Sequence, residues 1–273
     1  MMTISPNQPC PCGSGHHFRQ CCANQIRPNA VLNLHSYPEL FVVGAVLAGS
    51  KLFSAYYRSE RARIGGEVLW VEDPKLPVGL GAAVTRIGTS HQVVRLRSVP
   101  GTAPDGAQIA HELEHLVLDW RGFPNVGSIS EGEKGVATAL AACLQDPVVD
   151  QHLQAFGLDL KEKSAREEAE SQAALENCRA PTSKSDRMLW VINCASKIID
   201  WAVAVGDGGK HRGAFELWFA SRYPEIGAEA RELAERMLAL GFEESSTMQH
   251  ALKQAVTTLG LQGRVKVVVL RPT

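Results

Sequence analysis

Apolar positions change period several times along the chain, and the changes mark out its elements. From Glu39 to Arg63 they follow a helical pattern that carries the Tyr56-Tyr57 pair and ends in arginines. Glu67 to Glu72 and Gln92 to Arg97 are short alternating or β-rich runs bounded by glycine and proline, which predicts two strands. At Ile109 the helical spacing returns. Ile109, Leu113, Leu116 and Val117 form one buried stripe, Pro104 and Asp105 are helix-start residues, and Gly122 with Pro124 stops the helix after Arg121. Helices are then expected over Glu131 to Gln145, Pro147 to Phe156, Lys161 to Cys178, Asp186 to Val205, Gly213 to Arg222, Glu225 to Leu240 and Ser245 to Leu259. Arg264 to Leu270, with Val265, Val267, Val268 and Val269, reads as a final strand returning to the sheet. Gln25 to Pro38, with its two prolines, reads as a linker. The expected architecture is α+β, with a cysteine-rich segment at 1–24, a linker at 25–38 and one domain at 39–273 that holds a small sheet and a mostly helical C-terminal half.

The helix that begins near Ile109 carries His111-Glu112-Leu113-Glu114-His115, an H-E-x-x-H. Residues four apart lie one above the other on a helix, so His111 and His115 reach one ion together. Glu112 lies about 100° round the axis from His111. There a carboxylate can take a proton from a water that zinc activates. This is the layout of a zincin metallopeptidase. Glu114 is assigned to a solvated face.

A catalytic zinc needs a third protein ligand, and four residues compete for the role. Glu133 lies on the next helix, where Ser130 three residues earlier also makes it part of a capping box. Asp146 closes the run Val136 to Gln145 and precedes Pro147, which also suits the N-cap of a following helix. Asp150 and His152 fall within that following helix. Asp146 is preferred.

A second metal site is expected at the N-terminus. Cys10, Cys12, Cys21 and Cys22 put four of the seven cysteines into a C-x-C, eight residues, then C-C. Gly13, Ser14 and Gly15 supply a turn that folds the four sulfurs around one zinc ion. A peptide this short has no core to fold without the metal. The remaining thiols, Cys143, Cys178 and Cys194, sit in helical patterns and are expected to be buried and inert.

Composition narrows the functions available. With 273 residues, 45% of them hydrophobic, the chain can bury a full core. A formal charge of -1 argues against binding nucleic acid by phosphate neutralisation. The longest apolar run, Leu40 to Ala48, is too short to span a bilayer, and the expected compartment is the cytoplasm. Gly206-Asp207-Gly208-Gly209-Lys210 lacks phosphate-loop spacing, because His211 follows the lysine, and reads as a turn between helices.

Two resemblances follow from these residues. Cys10-Pro11-Cys12-Gly13-Ser14-Gly15 through Cys21-Cys22 resembles the SEC-C motif, the zinc-binding tail known from the SecA preprotein translocation ATPase, with His16 and His17 where lysines are usual. It implies that the four cysteines ligate zinc and that the segment docks on a partner such as a chaperone or ribosome. Ile109 to Phe123, followed by the alanine-rich Val136 to Pro147, is similar to the H-E-x-x-H metallopeptidases of the ImmA/IrrE kind. Here Glu114 replaces the glycine common in that group, and no glutamate stands immediately before Ala137. The resemblance implies cleavage of a protein or peptide target with Glu112 as general base, and two zinc ions per chain. The rival readings are a non-catalytic zinc protein docked through the SEC-C segment, and an amidase acting on a small molecule. An edge strand at Val93 to Arg97 is the expected place for a peptide substrate to pair.

Overall fold

The computed structural model describes residues 4–29, 32–76, 82–87, 91–97, 106–158, 161–205, 210 and 212–269. Pro104, Asp105, Gly206 to Gly209 and His211 lie outside them. The architecture is α+β, and the chain divides into two compact units, 1–117 with 153–163, and 118–152 with 164–272.

The first unit holds the cysteine segment and a five-stranded sheet of order β1-β2-β3-β5-β4. Its strands are β1 (Arg27–Asn29), β2 (Leu34–Tyr37), β3 (Val68–Glu72), β4 (Ala82–Ile87) and β5 (His91–Leu96). The two strands read from the sequence are the parallel central pair, in register at Trp70 and Val94. Their side chains explain the position: Trp70, Val71, Val93 and Val94 are fully buried. β1 and β2 arise inside the segment read as a linker. They are short and mostly unburied, so they carry no hydrophobic period, and pairing with β3 holds them in place. β4 pairs antiparallel with β5 and takes the sheet edge, so Val93 to Arg97 is an interior strand and not the edge expected of it.

The single helix expected from Glu39 to Arg63 is two, α1 (Glu39–Gly49) and α2 (Lys51–Glu60). Ser50 separates them, its side chain capping α2 by accepting from the Phe53 amide at 3.1 Å. α3 (Gly106–Trp120) carries the H-E-x-x-H. Its first residue must be small, because a Cβ on Gly106 would fall 2.6 Å from a Val46 methyl. Gly122, at φ 77°, turns the chain out of the helix, with the Phe123 amide bonding back to the Leu118 carbonyl at 3.0 Å.

The second unit pairs β6 (Pro124–Ser128) with β7 (Val265–Val269) in a separate two-stranded sheet, so the C-terminal strand does not return to the larger one. Among the described residues, β6 is followed by the helices α4 (Lys134–Ala155), α5 (Lys161–Leu175), α6 (Lys184–Val205), α7 (Ala214–Arg222), α8 (Pro224–Leu240) and α9 (Ser245–Thr258). The helices expected on either side of Asp146-Pro147 are one helix. Pro147 forfeits a backbone bond to the Cys143 carbonyl, yet Leu144, Val148 and Val149 around it are all buried, and that burial offsets the roughly 3 kcal/mol cost of an interior proline. Cys143 and Cys194 are buried as expected, whereas Cys178 is exposed. Among the described residues no helix is long and apolar enough to cross a membrane.

Candidate metal centres

The N-terminal cysteines are gathered by local geometry. A bridge between Pro9 and His17, with the Cys10 amide bonded to the His16 carbonyl at 2.8 Å, closes the loop, and Gly13 and Gly15 take positive φ inside it. Short 3₁₀ turns at Phe18–Gln20 and Cys22–Gln25 then present Cys21 and Cys22. The four sulfurs lie within 4.8 Å of one another, with Cys12 and Cys21 at 3.5 Å and Cys21 and Cys22 at 3.9 Å. Four thiolates at Zn–S distances would stand about 3.8 Å apart along tetrahedral edges, so the set fits zinc.

Their electrostatics favour a bound cation. Burial pushes the Cys12 thiol up, but hydrogen bonds from Ser14 and its neighbouring thiols outweigh this and bring it down to about 6. Cys22 is raised, by burial and then by Cys10 and Cys12, and Cys10 is raised chiefly by burial. Such a cluster cannot ionise fully on its own, and a divalent ion removes the conflict. Ser14, whose hydroxyl lies 3.3 Å from the Cys21 sulfur, adds a supporting bond. His16 and His17 are exposed and outside the cluster.

The loop is also seated on α1. An ideal Cβ on Gly44 would lie 2.7 Å from the Cys12 Cα and 2.8 Å from the Pro11 carbonyl oxygen, so only glycine permits the approach. Phe18 meets Phe41 at 5.5 Å between ring centroids, and Phe41 in turn stacks on Tyr37. Nothing in the cysteine spacing signals Gly44 or Phe41 as its receptor.

On α3 the Nε2 atoms of His111 and His115 stand 3.3 Å apart, their rings nearly perpendicular at 82°. Two imidazole nitrogens on a tetrahedral zinc would be separated by about 3.3 Å, so the pair already has the spacing of two ligands. The two imidazoles make half of a donor set suited to zinc. Asp146, Asp150 and His152 all lie on α4 in the second unit, and His152 faces Arg121 at 3.1 Å. Glu133 accepts from the Arg264 guanidinium at 2.8 Å, and Ser130 makes no side-chain cap there.

Glu112 is buried beside His111, with 7% of its surface exposed. Glu114 is fully buried, contrary to the solvated face assigned to it. The Tyr56 hydroxyl lies 3.0 Å from both Glu114 Oε2 and the Ala110 carbonyl oxygen, so this carboxylate ties α3 to α2. A polar residue at that position hid the fact that α3 is packed nearly all round.

No curated protein and no solved structure matches the chain. Residues 7–24 match the SEC-C motif family. The N-terminal segment is therefore a SEC-C motif whose four cysteines form a cluster able to bind a metal ion such as zinc.

Proposed function

We propose that the chain is a zinc-dependent peptide hydrolase of zincin-like design, distantly related to the ImmA/IrrE group, carrying a SEC-C segment as a structural and docking zinc site. The observation that carries this reading is the His111–His115 pair, with Nε2 atoms 3.3 Å apart, beside the buried Glu112 on one helix; Asp146 is the third ligand assigned to it. When bound there, zinc supplies a Lewis acid for the scissile carbonyl and acidifies a water. The two histidines hold their ligand nitrogens from one face of α3, and Asp146 adds the negative charge that lowers the net charge of the centre. Glu112 accepts a proton from the attacking water and returns it to the departing amine. The β4 edge supports recognition of an extended peptide by strand addition, in place of Val93 to Arg97. A strand edge for peptide pairing also disfavours an amidase with an enclosed small-molecule pocket.

Glu112→Gln should keep both zinc ions and lower turnover of a cleaved peptide by about 10²-fold or more. Full activity in this variant, with zinc still bound, refutes the role given to Glu112. The SEC-C match favours a second reading, in which the chain is a non-catalytic adaptor and the histidine site is structural. A structural zinc has all four positions filled by protein, whereas a catalytic one keeps a position for solvent, and X-ray absorption spectroscopy on the zinc separates the two.

A further inference from the structure

The second unit contains a cavity of about 350 Å³ among α4, α5, α6 and α7, and every residue that lines it belongs to that unit. Its volume falls in the range of small-molecule sites, about 300–1,000 Å³. Helical spacing builds each wall. Ala139 and Ala142 on α4 and Ala174 on α5 are too short to fill the gap. Phe215 and Phe219, one turn apart on α7, form an aromatic wall with their rings stacked at 5.9 Å. From α6 a stripe of Trp190, Asn193 and Lys197 brings an indole, an amide and an ammonium to the same space. Trp190 extends the aromatic wall, tilted against Phe219 at 6.2 Å.

The polar groups on that stripe differ in what they can still bind. Glu167 at 3.4 Å and Asp200 at 3.7 Å offset the Lys197 ammonium, which leaves it little to give a phosphate or a carboxylate. The Asn193 amide and the nearby Ser196 hydroxyl have no hydrogen-bond partner among the described residues. An amide presents a donor and an acceptor side by side, and it pairs with two complementary groups adjacent on a ring edge, as asparagine does with adenine. Trp190 lies one turn before Asn193 on the same face, so a ring held by the amide can also meet an aromatic surface. We infer that this cavity binds an uncharged planar heteroaromatic molecule that carries a hydrogen-bond donor and acceptor side by side on its rim, as a purine base does. The site is independent of the peptidase reading, and Asp146, which also borders the space, is given no part in it.

The test is calorimetry on the full-length protein with adenine, indole and adenosine monophosphate as probes. Adenine should bind more tightly than indole, whose ring carries a donor but no neighbouring acceptor. Asn193→Ala, at an exposed position that folding tolerates, should weaken adenine by about tenfold, the value of one two-point amide contact, and leave indole unchanged. Ala174→Leu, also exposed, places a larger side chain in the cavity and should abolish binding of both rings. The nucleotide should bind no more tightly than the free base, because the lysine is already offset. Absence of adenine binding at about 1 mM overturns the inference. So does an adenine affinity that survives both substitutions, which would place the ligand elsewhere. Indole binding as tightly as adenine, with no response to Asn193→Ala, would make the cavity a merely apolar site, and a tighter nucleotide would show that it selects an anion; either result overturns the assignment.

Discussion

Gly44→Ala tests the seating of the SEC-C segment on α1, because two opposite effects act at that residue. In an isolated helix the change is favourable by about 1 kcal/mol, since alanine is the better helix former. In the folded chain the new methyl would meet the Cys12 Cα at 2.7 Å and the Cys12 carbonyl carbon and Pro11 oxygen at 2.8 Å. All three are backbone atoms, so no rotamer change relieves the clash. Either the loop and α1 strain apart, at about 1–3 kcal/mol for overpacking, or the loop undocks and uncovers Phe41, at about 1.5–3 kcal/mol. Neither route falls below the helix gain, and the expected net loss is up to about 2 kcal/mol, a melting temperature lower by up to about 8 °C. Zinc transfer to the chromogenic chelator pyridylazoresorcinol should also quicken. In a Cys12→Ser/Cys21→Ser background, where the metal no longer organises the loop, the same substitution should be neutral or stabilising. A higher melting temperature for Gly44→Ala with zinc release unchanged would refute the docking of the loop on α1.

Two further outcomes follow from buried carboxylates. Glu114→Ala removes a buried carboxylate together with its bond from the Tyr56 hydroxyl, which keeps the Ala110 carbonyl as acceptor, and should cost about 1–3 kcal/mol in urea unfolding; a loss under about 0.5 kcal/mol, as expected of a surface position, contradicts the burial of Glu114. Burial pushes the Asp73 carboxyl up, but bonds from the Arg95 guanidinium and the Lys75 amide outweigh it and hold the group below the usual carboxylate range. With the folded value depressed, the unfolded chain takes up the proton first. The stabilisation from Asp73 is therefore complete above about pH 4 and is lost as pH falls through the lower folded value. The stability gap between wild type and Asp73→Asn should be flat near neutrality and close in acid, and a gap independent of pH would show that the charge contributes nothing.

The candidate metal ligands were legible because they lie in short spacings. Four cysteines within one loop and two histidines one turn apart declare themselves without tertiary information. Glu133 could not be set aside from the sequence, because Arg264 engages it from 131 residues away. The helices after Lys161 follow their sequence periods closely, because helical hydrogen bonds and amphipathic spacing are local. The sheet was less readable. β1 and β2 have weak apolar content, β4 opens on two alanines, and the edge position of β4 depends on pairing partners that no local pattern encodes. Pro147 misled for a related reason: a local helix breaker was overridden by packing on both sides of it.

The peptidase reading needs a second zinc site, separate from the SEC-C cysteines. Elemental analysis of the purified chain beside a His111→Ala/His115→Ala double variant decides whether it exists. Two zinc ions per chain are expected in the wild type and one in the variant. One zinc ion in both would leave only the SEC-C site and contradict the peptidase reading.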